Sequence, residues 1–208
     1  MQTFRKLPFS FYNRSNTLAI AKELIGKLLV TQFDGCVTIG RIVETEAYAG
    51  IDDLASHARR GIRTPRTEVM YGRAGRAYVY LCYGIHQMFN IVTHKEGQPH
   101  AVLIRAVEPV GGFECFSRRT GKLAGDRSIT RGPGNVARAF GLNTTHSGID
   151  LLGDEVFLAK EDKKIKMSEI VCTPRIGVDY AGNDALLPYR FILRNNPYVS
   201  GKKQQNQF

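Results

Sequence analysis

At 208 residues the chain is long enough to bury one sizeable core and too short for several. Its hydrophobic fraction of 43% and charged fraction of 23% are those of a globular protein and exclude a disordered or fibrous one. A formal charge of +10, from 29 Lys and Arg against 19 acidic residues, favours a polyanionic partner, either nucleic acid or an acidic membrane surface, and says nothing about fold.

Met1 to Ser15 is polar, carries Arg5, Lys6 and Arg14, and does not read as a secretory signal. No segment approaches the ~20 apolar residues of a membrane span, so a cytoplasmic location is expected. Cys36, Cys82, Cys115 and Cys172 lie far apart without a C-x-x-C pair, which argues for free thiols and against a structural zinc. No internal repeat or linker divides the chain. Residues 1–200 read as one domain and 201–208 as a polar tail.

Ser15 or Asn16 caps a short helix with Leu18, Ala21, Leu24 and Ile25 on one face, closed by Gly26. Lys27–Phe33 and Cys36–Tyr48 read as strands joined by an Asp34-Gly35 turn. Gly50–Gly75 is irregular and basic, with Arg59, Arg60, Arg63, Arg66 and Arg73, and long loops of this kind are often functional. Alternation returns at Ala77–Cys82, and after Tyr83-Gly84 a second strand runs over His86–Thr93. Ala101–Glu108 is a further strand and Gly112–Arg119 a helix. Val136–Phe140 is a short helix with Gly141 at its end. Short strands are expected near 151–158, 165–170 and 189–194. The elements describe a mixed domain dominated by antiparallel strands.

On a strand, Glu44, Glu46 and Tyr48 share one face and Val43, Thr45 and Ala47 the other. Two such glutamates are ordinarily solvated; the functional alternative is a carboxylate base beside an aromatic platform. Tyr78 reads as a core residue. Tyr83, at a hairpin tip beside a basic loop, suits a wedge between bases, with the loop arginines on phosphates. Basic residues interleaved with aromatics mark a nucleic-acid surface without separating DNA from RNA. His57, His86, His94, His100 and His146 show no metal-ligand spacing, and no phosphate-loop, dinucleotide or serine-hydrolase motif is present. Gly132-Pro133-Gly134 is either a turn or a phosphate site at a helix start. The run Lys163-Lys164-Ile165-Lys166 reads as solvated charge.

Taken together, Arg41–Tyr48, His57, Thr64-Pro65-Arg66, Tyr78–Gly84, Asn90-Ile91, Leu103–Pro109, Gly132-Pro133, Arg175–Val178 and Asn196–Ser200 make the chain resemble the mammalian-type alkyladenine (3-methyladenine) DNA glycosylases. The segments keep their order and approximate spacing over nearly the whole chain. The resemblance implies an α+β fold: a single compact domain with a curved, mostly antiparallel β-sheet, short flanking helices and a protruding β-hairpin. It implies Glu46 as the base that activates water and Arg105 as the arginine holding that water and the carboxylate. It implies Tyr48, Tyr80 and His57 as walls around a flipped base, and Asn90 as the group opposing the guanine amino group. Tyr83 matches the intercalating tyrosine, with Thr64, Arg66 and Gly84 on the DNA. The partner implied is double-stranded DNA containing damaged purines, engaged by a monomer without metal or cofactor.

Departures lie at Ile85 and His86 after the wedge, in the Asn90–Arg105 connection, and in the lack of a long N-terminal extension, which points to a minimal bacterial form. With no lysine in the matched catalytic segments, base removal without strand cleavage is expected. Two rival readings are a non-catalytic RNA-binding domain, which leaves Glu46 and Arg105 without a role, and a peripheral membrane protein, which lacks the amphipathic basic helix it needs.

Overall fold

A computed structural model describes residues 4–163 and 165–201. Lys164 and the tail residues 202–208 lie outside the described residues, so the expectations placed on them are not addressed. Eight strands form one sheet: β1 (Leu28–Phe33), β2 (Cys36–Ala49), β3 (Ala77–Cys82), β4 (His86–Thr93), β5 (His100–Gly111), β6 (Val156–Ala159), β7 (Ile170–Thr173) and β8 (Arg190–Leu193). Every pairing is antiparallel, and the main path runs β3-β4-β5-β2-β1-β6. Among the described residues four short α-helices flank it: α1 (Phe9–Tyr12), α2 (Thr17–Leu24), α3 (Phe113–Thr120) and α4 (Pro133–Phe140). No helix among the described residues is long and apolar enough to cross a membrane.

The long strand β2 organises the sheet. One edge pairs with β5 along most of its length, while the other is shared by β1 at its start and β8 at Glu44–Glu46. The β2–β5 ladder is irregular beside these glutamates: Ile42 opposes Val107, Glu44 opposes Ala106, and Thr45 opposes Ile104. Val43 on β2 and Arg105 on β5 are therefore the extra residues of two adjacent bulges. Bulges re-aim side chains and increase local twist. Here they allow Ile42 and Val43 on one strand, and Ala106 and Val107 on the other, all to enter the core.

Strand periodicity sorts the remaining residues. Ala77, Val79, Phe89, Ile91, Val102 and Ile104 join the main core with residues of α2 and α4. Their alternates, including Tyr78, Tyr80, Asn90 and Leu103, face a cavity on the opposite side of the sheet. The side chain of Asn16 caps α2 by accepting from the Ala19 amide. Pro133 occupies the first turn of α4, which begins three residues earlier than the sequence reading placed it, and Gly141 ends the helix at φ 71°.

Two expectations are corrected. Cys36 and Cys115 form a disulfide, whereas Cys82 and Cys172 are free. Packing of α3 against the start of β2 brings the two Cα atoms to 6.0 Å, within bridging range, and a separation of 79 residues gives no sequence signal for it. The strand expected over 165–170 is instead a 3-10 turn, Met167–Glu169, followed by β7; the turn is fixed by the Glu169 carboxylate accepting from the Lys166 amide.

Candidate active site

The cavity has a volume of about 420 Å³ and lies between the β3–β4–β5 face, the end of β2, the loop after it, and the segment after β7. Glu46 sits immediately behind this lining and is wholly buried. Three groups that line the cavity hold its carboxylate. The Tyr48 hydroxyl donates to Oε2 at 2.9 Å, the Ile176 amide donates to Oε1 at 2.8 Å, and Arg105 Nη1 stands 3.3 Å from Oε2. Burial, then the Glu46 charge, raises the Tyr48 hydroxyl well above the ordinary tyrosine range, so it is a proton donor here.

Glu44 lies beside Glu46 and is also wholly buried. It is not a solvated partner on an open strand face, because β8 covers this edge of β2. Arg105 Nε and Arg190 Nε donate to its Oε1 at 2.9 and 2.7 Å, and the Ser200 amide donates to Oε2 at 2.6 Å. Burial pushes the Glu44 carboxyl upward, but Arg105, Arg190 and the Ser200 amide outweigh it and leave the group below its ordinary value.

Aromatic walls surround the cavity. Tyr48 rests on Arg175, whose guanidinium lies 5.1 Å from the ring centroid and is itself clamped by Asp53 at 2.6 and 2.9 Å. Tyr78 and Tyr80 lie side by side with centroids 5.3 Å apart. His57 Nδ1 meets the Tyr78 hydroxyl at 2.8 Å, and its ring stands edge-on to Tyr80 at 4.6 Å. Burial, with Arg66 and Arg59 nearby, lowers the His57 pKa to about 4, so the imidazole is neutral at pH 7. Asn90 Nδ2 donates to the carbonyls of Tyr78 and Met88, which fixes its side chain in the cavity wall.

Tyr83 and Gly84 are the central residues of the β3–β4 turn, with φ 51° and 72°; the Ile85 amide closes it on the Cys82 carbonyl. Both positive φ values suit the turn that matches strand twist. Tyr83 is 87% exposed and Ile85 73%, so the tip presents apolar surface to solvent. Arg66 lines the cavity 5.9 Å from the Tyr80 ring. Thr64 lies outside the lining, in the turn where its amide donates to Thr67 Oγ1. Gly84 also lies outside it, at the tip.

The structure thus gathers Glu46, Arg105, Tyr48, His57, Tyr80, Asn90, Arg66 and Tyr83 around one cavity. It adds residues that sequence reasoning missed. Tyr180 lines the mouth, with its hydroxyl on the Ala55 carbonyl and Arg59 5.6 Å from its ring. It lies in a 3-10 segment, Asp179–Leu186, that carries no periodic signal. Arg175 and Ile176 fall in a matched motif that gave neither a role, and Asp53, the partner of Arg175, lies outside the matched segments. Among the described residues no three His, Cys, Asp or Glu side chains converge as a metal site requires.

A family model for methylpurine-DNA glycosylase matches residues 10–197. A Desulfitobacterium hafniense protein is 43% identical over 205 residues, covering 95% of this chain and 100% of its own length. Relatives from Clostridium acetobutylicum (44%; 96% of this chain, 99% of theirs) and Myxococcus xanthus (47%; 93% of each) are equally extensive. All three are provisionally named 3-methyladenine DNA glycosylases. A match over nine-tenths of the chain, with the cavity residues inside it, makes the protein a member of the methylpurine-DNA glycosylase family.

Proposed function

We propose that the cavity receives a damaged purine rotated out of duplex DNA, and that Glu46 activates the water that hydrolyses its N-glycosidic bond. The observation that carries this reading is the Glu46 carboxylate, buried behind an aromatic cavity and oriented by Tyr48, Ile176 and Arg105. A duplex hides the glycosidic bond, so the nucleotide must leave the stack, and damaged or mispaired bases cost least to extrude. Tyr83 on the exposed hairpin tip is placed to fill the gap, while the loop arginines neutralise phosphates.

Alkylation at N3 or N7 makes a purine cationic. Between tyrosine faces such a base gains about 0.5–2 kcal/mol per contact. Water attacks C1′ as Glu46 takes its proton. The glycosidic bond breaks with its electron pair going to the purine, which departs neutral and leaves an abasic sugar. His57 is neutral and serves as wall rather than acid; a neutral lesion such as ethenoadenine or hypoxanthine takes a ring proton from solvent, so that it too departs as a neutral base. Among the described residues none that lines the cavity is a lysine, which supports hydrolysis without a Schiff base or strand cleavage.

The test is base release from a duplex carrying one ethenoadenine or hypoxanthine, read as alkali-sensitive breaks, alongside Glu46→Gln. The parent should release the base, and the variant should be slower by roughly 10²–10⁴-fold while still binding the duplex. If the parent leaves both lesions in place, 3-methyladenine release from alkylated duplex DNA replaces them. Full activity in Glu46→Gln would overturn the assignment.

A further inference from the structure

The reading of Glu46 as base leaves its wholly buried neighbour Glu44 without a task, together with Arg190 and Ser200, which surround it. We propose that Glu44, Arg190 and Ser200 are positioning residues that hold Arg105 end-on to Glu46, so that the guanidinium does not close over both oxygens of the carboxylate. The inference rests on Glu46 being the base.

The geometry carries it. Among the described residues Arg105 is the side chain that forms ion pairs with both glutamates. Its Nε is taken by Glu44 Oε1 at 2.9 Å, and its Nη2 lies 3.4 Å from Ser200 Oγ. Nη1 is the nitrogen that faces Glu46, at 3.3 Å. A guanidinium beside a carboxylate ordinarily settles into a two-pronged pair. That pairing would occupy both oxygens of Glu46 and oppose proton transfer from water. Glu44 and Ser200 oppose it by engaging Nε and Nη2 of the fork.

Glu44 is in turn fixed by Arg190. Arg190 Nη1 and Nη2 reach Thr173 Oγ1 and the Ser200 carbonyl at 3.1 and 2.9 Å, tying β7, β8 and the C-terminal segment to β2. Ser200 adds its amide and hydroxyl to Glu44 at 2.6 and 2.9 Å. The cluster holds two carboxylates and two guanidiniums, so its formal charges balance. A buried ion cluster is a weak source of stability compared with apolar packing of the same volume, so its retention here is better explained by orientation of Arg105. The adjacent bulges at Val43 and Arg105 are the backbone counterpart of this arrangement.

The experiment measures single-turnover base release and lesion-duplex affinity for Ser200→Ala and Glu44→Gln, using the ethenoadenine or alkylated duplex that the parent processes. Ser200→Ala keeps the amide on Glu44 and removes only the hydroxyl. We expect a rate about tenfold lower, with affinity within twofold of the parent and a melting temperature lower by only a few degrees. Glu44→Gln should be slower still. In a Glu46→Gln background, Ser200→Ala should have no further effect, because residues that act as a unit are non-additive. A parental rate in Ser200→Ala, or rate and affinity falling together with stability, overturns the proposal. Should Glu44→Gln fail to fold, Ser200→Ala alone decides. Full activity in Glu46→Gln would instead signal failure of the underlying base assignment.

Discussion

The Ile176 amide donates a 2.8 Å hydrogen bond to Oε1 of Glu46 across 130 residues of sequence. With the Tyr48 hydroxyl on Oε2, each carboxylate oxygen has one directional donor, and the plane of the group is set by two separate elements. Tyr48→Phe removes one donor and keeps the ring. A hydrogen bond to a charged group is worth about 1.5–3 kcal/mol, so single-turnover base release should fall at least tenfold while lesion affinity holds. An equal loss of affinity would show that the hydroxyl serves the base rather than Glu46.

Tyr83 separates stability from function. It occupies a left-handed conformation at φ 51° and is 87% exposed. Such strain costs of order 1–3 kcal/mol in a residue other than glycine. Tyr83→Gly should therefore match or exceed the parent's melting temperature. Base release from duplex should nonetheless drop about tenfold or more, with a smaller loss on single-stranded substrate. Parental duplex activity would remove Tyr83 from the role of wedge.

Acid should destabilise the fold through two histidines. Burial lowers the pKa of both His57 and His100 from 6.5 to about 4, aided by Arg66 and Arg59 for the first and by His94 for the second. Below pH 6.5 the unfolded chain binds protons that the folded chain refuses, so stability rises with pH across this window and is lost as pH falls toward 4. Melting temperature measured from pH 7 to 4.5 should decline less in a His57→Gln, His100→Gln double variant than in the parent. Parallel curves would show that other groups dominate.

The Asp53–Arg175 pair underlies the Tyr48 wall and is almost fully buried. Removing one partner of such a pair costs about 3–5 kcal/mol. Asp53→Ala should lower the melting temperature by at least about 6 °C, at roughly 2–4 °C per kcal/mol for a chain of this size. Unlike Tyr48→Phe, it should reduce affinity and rate together, since the Tyr48 ring loses its support. An unchanged melting temperature would contradict this account.

The β1–β2 and β3–β4 hairpins were legible because turn residues at Asp34-Gly35 and Tyr83-Gly84 join strand-like runs, with alternation clear at Ala77–Cys82, and β3 and β4 lie where the sequence reading put them. The pairing of Glu46 with Tyr48 on one strand face was legible for the same reason. What alternation hides is depth. Nothing in Val43-Glu44-Thr45-Glu46 says that β8 will cover its edge, or that two bulges will place both carboxylates inside. Tyr180 and the Ile176 amide were invisible because they sit in irregular backbone, where position is decided by tertiary contacts alone. The Cys36–Cys115 bridge was hidden by sequence distance, since its residues lie on β2 and α3, 79 residues apart.

The tie between Ser200 and Glu44 has a consequence for the order of synthesis. Glu46, Tyr48 and Arg105 all leave the ribosome well before β8 and Ser200. A nascent chain that has reached only Pro197 holds the cavity residues but lacks the amide and hydroxyl that fix Glu44, and it cannot yet lock Arg105. The ion cluster behind the cavity is thus assembled only when β8 and Ser200, its last members in chain order, have joined the fold.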